Sequence, residues 1–330
     1  MANHLTIVHS FPRIHIGLLD LGHITHRAHG GAGFCIDGLP VEIEIRRSRS
    51  SQIIGLNQLD ADGRSDLRAA IARMRDANAA PKLTIQLRNV LPQHVGLGSK
   101  TATILGTLKA LDLLLGAKLT DRRLQELSGR GGTSGVGINT FFTGGFVVDC
   151  GHAAVKDRKF VPSRRQTHFD IPPLACRINI PSDWRIHLFL LPGRRLASSA
   201  EAKFFRDNTP IPRREVLSAI SVIYHGIVPA VISGDVRLLK ECLGELHRTG
   251  FKSRELRNQA PCVRAFMDAV DASTNLAVGM SSLGPLVYAI GESGYRTGET
   301  LLKELCARYR GQFIGTFQGR STGFKEIEPA

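Results

Sequence analysis

The chain has 330 residues, 42% hydrophobic and 22% charged, and carries a net charge of +14. That length buries one large core or two medium ones, and that balance excludes a disordered or fibrous chain. No apolar run reaches the roughly 18–20 residues of a membrane helix, and residues 1–8 lack the basic start and apolar stretch of a signal peptide, so a cytoplasmic protein is expected.

In chain order, residues 4–9 and 13–19 read as strands, the second closing on Asp20. Arg13 and His15 share one face of that strand by its period of two. The glycine-rich stretch Gly30-Gly31-Ala32-Gly33 reads as a crossing, 41–46 as a strand, and 65–77 as an amphipathic helix capped by Ser65. Alternation over 83–88 predicts another strand. It leads into Pro92-Gln93-His94-Val95-Gly96-Leu97-Gly98-Ser99-Lys100-Thr101-Ala102 and a buried helix over 99–115. Two glycines there let backbone approach a ligand, and the helix start aims free N–H groups and a positive dipole end at the same point. That arrangement suits a phosphate. The loop lacks the third glycine of a dinucleotide fingerprint and the Gly-Lys of a P-loop.

A short helix, Asp121–Leu127, is expected to start on Thr120, and the run 129–137 precedes a buried strand at 145–149. Residues 155–182 are polar and proline-punctuated, which places a boundary between halves there. Beyond it, a strand over 185–191, helices over 214–232, 235–248 and 259–272, and a glycine loop at 279–285 are predicted. A strand at 286–290, a helix near 297–308 and a strand near 312–316 close the chain. This order suggests helices on one face of an antiparallel sheet. Six scattered cysteines favour reduced thiols over a disulfide or zinc framework. His23, His26 and His29 read as phosphate-facing or solvated rather than as zinc ligands. The positive charge fits nucleic acid, an acidic membrane surface or small polyanions; few aromatics interleave the basic pairs, which weakens a single-strand-binding reading.

The loop 92–102 resembles the Pro-x-x-x-Gly-Leu-Gly-Ser-Ser-Ala signature of the GHMP kinase superfamily, with Lys100 at the second serine. Gly279–Pro285 is similar to that superfamily's third motif, and Gly131–Gly135 to its Gly-x-Pro-Ser-Gly segment. Where mevalonate-type kinases carry a catalytic aspartate, this chain has Gly137, which cannot accept a hydroxyl proton. The match sharpens toward the β-ribofuranosylaminobenzene 5′-phosphate synthases through Arg13–Leu21 with Arg27, Gly129–Gly137, Gly144–His152, and Leu191–Arg195 with Glu201 and Phe204-Phe205.

The resemblance implies an α+β, two-domain GHMP-kinase-like fold. Its N-terminal domain (1–165) would hold a left-handed β-α-β unit, and its C-terminal domain (166–330) a ferredoxin-like α/β sandwich. It also implies a decarboxylating phosphoribosyltransferase that joins 4-aminobenzoate to phosphoribosyl pyrophosphate, releasing CO2 and pyrophosphate, in tetrahydromethanopterin biosynthesis. Mg2+ is the implied cofactor and a homodimer the implied assembly, with no nucleic-acid or membrane partner. Asp20 and Arg27 are the expected catalytic residues, with Asp20 also holding the metal. Arg13, His15, Gly96, Gly98, Ser99, Lys100, Thr101, Arg130, Thr133, Ser134, Ser281 and Ser282 are the expected substrate-binding residues. The alternatives are an ATP-dependent GHMP-type small-molecule kinase and, from another class, an RNA-binding protein.

Overall fold

A computed structural model describes residues 5–77, 81–153, 170–196, 198–294 and 298–328. The first strands are β1 (Leu5–Ser10), β2 (Arg13–Asp20), β3 (Arg27–Asp37), β4 (Val41–Arg47) and β5 (Gln52–Ile54). β3 is absent from the sequence prediction because its glycines mask it. A methyl on Gly31 would lie 2.6 Å from the Ser134 hydroxyl and 2.9 Å from the His15 ring, so the close packing of the site keeps side chains off this strand.

Helix α1 (Ala61–Ala77) starts four residues before its predicted start. Asp60, not Ser65, supplies the cap: its carboxylate accepts from the Gly63 N–H at 2.6 Å. Next come β6 (Leu83–Arg88), α2 (Ser99–Leu115), α3 (Asp121–Ser128), α4 (Val136–Thr143), β7 (Phe146–Asp149) and β8 (His152–Ala153). Thr120 caps α3 as expected, accepting from Arg123 N at 3.2 Å. Much of the polar stretch at 155–182 lies outside the described residues, but its end forms β9 (Leu174–Ile178).

The remainder comprises β10 (Trp184–Leu190), α5 (Ser198–Asn208), and α6 (Arg213–Ser221), which continues through a π-helical turn at 222–227 into α7 (Val228–Ser233). Helices α8 (Val236–Leu246), α9 (Gly250–Asn258) and α10 (Pro261–Ser273) follow, then β11 (Ala277–Met280), β12 (Leu286–Glu292), α11 (Gly298–Arg308), β13 (Gln312–Gly319) and β14 (Lys325–Ile327). Taken as one helix, Arg213–Ser233 is long and apolar enough to cross a membrane, contrary to the sequence reading. It buries Val216, Ala219, Ile223, Ile227 and Ala230 within the protein, the pattern of a core helix.

The strands form two sheets. One has the order β14-β1-β4-β6-β5; the other runs β11-β12-β10-β13-β3-β7-β9, with β2 and β8 also paired to β3. Strand pairings cross the division expected at 165/166. β14 returns to pair with β1, and β13 pairs with β3 through Gln318 opposite Asp37 and Gly319 opposite Ile36. The largest apolar cluster likewise joins Val8, Ile43 and Leu108 to Ile186, Leu188 and Tyr288. Loops from both halves are thereby held against each other, and a cavity opens between them.

Candidate active site

The cavity has a volume of about 860 Å³. One wall is the loop before α2 and the first turn of that helix: Gly96, Gly98, Ser99, Lys100 and Thr101. Gly96 and Gly98 have φ of +116° and +71°, conformations that glycine adopts at little cost. The first intrahelical bond runs from Ala102 N to Gly98 O, so the N–H groups of Ser99, Lys100 and Thr101 have no acceptor within the helix. A buried anion at this point would meet those donors and the positive end of a 17-residue helix.

Three of the four Lys and Arg side chains that line the cavity, Arg13, Lys100 and Arg130, belong to this side, and Arg206 of α5 is the fourth. The Arg13 guanidinium donates to Gly96 O at 2.6 Å and pins the loop. Burial lowers its pKa to about 10, the nearby Arg130 contributing further. Lys100 Nζ lies 3.5 Å, and an Arg130 nitrogen 3.8 Å, from the same Asp66 carboxylate oxygen. Arg130 Nε also donates to Thr101 Oγ1 at 3.3 Å. Asp66, on α1, thus sets the spacing of two side chains that sequence reading picked out one at a time. Gly137 lines the same wall, where a methyl would stand 3.3 Å from Thr101 Cγ2.

The opposite wall comes from the second half. Ser282, Leu283 and Gly284 line it, as do Leu196, Glu201, Ala202 and Phe205 around α5, and Glu255 from α9. Ser281 is fully buried and does not line the cavity. Its hydroxyl donates to Gly96 O at 2.7 Å and accepts from His15 N at 2.9 Å, so it latches two strands' ends to the loop at 96–98. Ser99 lines the cavity, but its hydroxyl is committed to Leu91 O at 2.6 Å.

Below the loop, His15, Ser134 and Asp149 form a hydrogen-bonded chain that is buried at both ends. His15 Nε2 lies 3.2 Å from Ser134 Oγ, which donates to Asp149 Oδ2 at 3.1 Å; the Asp149 carboxylate also accepts from Gly135 N and Gly151 N. Burial holds the His15 imidazole neutral, its pKa well below the ordinary value. Burial also pushes Asp149 up to about 6 from 3.8, against those hydrogen bonds. Between pH 4 and 6 the native state therefore keeps a proton that the unfolded chain has released, and this contribution to stability is lost as pH rises through that window. Relative to Asp149→Asn, the wild type is expected to lose about 3 kcal/mol from pH 4 to pH 7. Thermal melts of both proteins across that range check it.

Two expected catalytic residues lie elsewhere. Neither Asp20 nor Arg27 is among the residues lining the cavity. Asp20 is 2% exposed, and its carboxylate accepts from Gly22 N, Ile24 N, Thr25 N and Thr25 Oγ1 at 2.8–3.0 Å. Both oxygens are thereby taken by the 20–25 turn, which corrects the expectation of a metal ligand there. The Arg27 fork donates to Cys150 O at 3.0 Å and Gly151 O at 2.6 Å, binding β3 to the strand end that carries Asp149. Asp20→Asn should lower stability by about 2 kcal/mol, because one amide oxygen replaces two carboxylate acceptors. Denaturant unfolding measures this; an unchanged midpoint would disprove the turn role. His29 lies 5.7 Å from His23 and 5.9 Å from His152 between ring centres. Among the described residues no three His, Cys, Asp or Glu side chains are grouped to hold a metal.

Residues 66–145, from α1 through α4, match the GHMP kinases N-terminal domain. A relative from Archaeoglobus fulgidus, β-ribofuranosylphenol 5′-phosphate synthase, is 31% identical over 89% of this chain and 90% of its own length. Its namesake from Methanothermobacter thermautotrophicus is 30% identical over 86% of this chain and 88% of its own. The chain belongs to the β-ribofuranosylphenol 5′-phosphate synthase family. Among solved structures, homoserine kinase from Cytophaga hutchinsonii superposes with a TM-score of 0.70 at 15% identity, covering 99% of this chain and 98% of that one. Phosphomevalonate kinase from Streptococcus pneumoniae gives 0.71 at 13%, over 96% and 100%. These likenesses show the α+β GHMP kinase fold expected from the loop motifs.

The remaining surprises are Asp66, Glu201 and Glu255. Glu201 had a signal, since it falls in a segment resembling the synthases; Asp66 and Glu255 acquire meaning only from partners distant in sequence.

Proposed function

We propose that this protein is a decarboxylating ribosyl-5-phosphate transferase, joining phosphoribosyl pyrophosphate to a para-substituted benzoate in the making of a methanopterin-type coenzyme. The observation that carries the reading is the ring of Arg13, Lys100 and Arg130 over the start of α2, in a family named for a ribofuranosylphenol phosphate product. Three side-chain cations and a helix N-terminus match a diphosphate, whose negative charge grows as it leaves.

The chemistry balances with these parts. The C1–O bond of the ribosyl donor breaks and its electron pair leaves with the diphosphate. The ring carbon bearing the acceptor's carboxylate bonds to C1. The bond to that carboxylate then breaks, CO2 departs, and its electron pair restores the aromatic ring. In this reading Arg13, Lys100, Arg130 and the N–H groups of Ser99–Thr101 hold the diphosphate, with Thr133 and Ser282 nearby as donors, while Ser134 lines the cavity with its O–H turned to Asp149. Leu18, Leu196, Phe205 and Leu283 supply an apolar surface for the aromatic ring. Asp20 and Arg27 act at a distance, by fixing β2 and β3 beneath His15 and Asp149. A divalent cation would supply further charge neutralisation; Asp20 does not fit it, whereas an unpaired cavity carboxylate does.

The relatives' name carries a phenol, which favours 4-hydroxybenzoate as acceptor; 4-aminobenzoate differs only in the para donor. Either acid, carboxyl-labelled and supplied with phosphoribosyl pyrophosphate and Mg2+, tests the reading. Release of labelled CO2 with equimolar pyrophosphate is expected from at least one. No release from either, with ATP consumed on small alcohols instead, would establish the kinase alternative.

A further inference from the structure

We infer that Glu201 is the protein's ligand to a divalent cation that enters the cavity on the diphosphate, a role that rests on the ribosyl-diphosphate reading. Glu201 projects from α5 into the cavity, and among the described residues it makes no hydrogen bond or ion pair. Its acidic neighbours are committed. Asp66 spaces Lys100 and Arg130, and Glu255 lies 2.5 Å from the buried ammonium of Lys252, which also donates to Met280 O at 3.1 Å.

Arg13, Lys100 and Arg130 do not pair with Glu201 either. Arg13 is turned to Gly96 O, Lys100 to Asp66, and Arg130 to Asp66 and Thr101. Burial raises the Glu201 carboxyl above its ordinary value, and Arg130, His94, Lys100 and Arg13 act against that shift from across the cavity. A lone carboxylate is thus held across a gap from the cations that would receive a diphosphate. Without something between them, the carboxylate and the incoming anion repel each other. Mg2+ fits that gap chemically: it is bound characteristically by one or two carboxylates together with substrate phosphate oxygens and water, not by an all-protein cage. The absence of a three-ligand cluster among the described residues agrees with a metal that arrives with its anion.

The test is calorimetric titration of inorganic pyrophosphate into the wild type and Glu201→Gln, with and without Mg2+. In the wild type Mg2+ should tighten binding about tenfold. Without Mg2+, Glu201→Gln should bind pyrophosphate as tightly as the wild type or more so, because the repulsion is gone; with Mg2+, the tenfold gain should disappear. Mn2+ resonance spectra provide a second readout: a protein–diphosphate–Mn2+ signal in the wild type, lost in the variant. An equal Mg2+ gain in both proteins, or none in the wild type, would overturn the assignment to Glu201 while leaving the diphosphate site standing. Failure of the wild type to bind pyrophosphate under any condition would remove the inference and the reading beneath it together. Equal melting temperatures separate these outcomes from misfolding.

Discussion

Lys100→Ser should reduce kcat/KM for phosphoribosyl pyrophosphate by about 100- to 1000-fold. Lys100 replaces a serine of the superfamily signature with a point charge at the second position of α2, 16% exposed and 3.5 Å from Asp66. In the proposed reaction its ammonium would add to the helix N-terminus where the leaving diphosphate gathers charge. Removing one such preorganised donor typically costs about 3–4 kcal/mol of transition-state stabilisation, and each 1.4 kcal/mol is tenfold. The loss should fall on kcat as well as KM, because charge on the leaving group is greatest in the transition state.

Restoring the superfamily serine should not bring ATP-dependent phosphoryl transfer with it. Gly137 offers no carboxylate to take a hydroxyl proton, and Arg130 with Asp66 would still shape the cavity for a diphosphate. Lys100→Arg should recover part of the activity, since it retains the charge but spreads it over a larger plane. Steady-state kinetics with both substrates varied, beside an ATP-consumption assay, decide the matter. A serine variant with near wild-type kcat/KM would remove Lys100 from the diphosphate site.

The two parts of the site differ in how far they could be read from sequence, for physical reasons. The loop and α2 were legible because their signals are local: alternation over 83–88, two glycines, then apolar residues at helical spacing down to Leu115. Arg130, Thr133 and Ser134 were legible for the same reason, lying in one contiguous glycine-rich run. Asp20 was misleading because a strand-closing aspartate has one sequence pattern and two fates; that backbone N–H groups fill both its oxygens depends on how residues 22–25 turn. Arg27 was misleading in the same way, its acceptors lying over 120 residues away. Asp66 resembled any polar residue on an amphipathic helix until the fold brought Lys100 and Arg130 beside it. The mixing of halves was hidden too, because β14 is three residues long and depends on β1 for its hydrogen bonds.

Gly284→Ala should be among the most damaging single-methyl changes in the chain. A methyl there would lie 2.1 Å from both the carbonyl carbon and oxygen of Val95, and 2.6 Å from Gly96 N. Those are backbone atoms, so no side-chain rotation relieves the clash; the loops at 95–98 and 281–286 must separate. Their separation would break the bond from Leu286 N to Val95 O and pull Ser281 Oγ off Gly96 O, the contacts that set the phosphate loop. Stability should fall by about 3–5 kcal/mol, the range of severe core overpacking combined with lost buried hydrogen bonds. Activity should fall at least 100-fold even below the melting transition, because a displacement of about 1 Å at the anion site costs that much. Gly294→Ala is the matched control: a methyl there meets nothing within 4 Å, and its stability should stay within about 0.5 kcal/mol of wild type. Denaturant unfolding and turnover measured on the pair test the claim that backbone contact between the two halves, rather than side-chain chemistry alone, holds the diphosphate loop in shape; a Gly284→Ala protein that melts and turns over like its control would refute it.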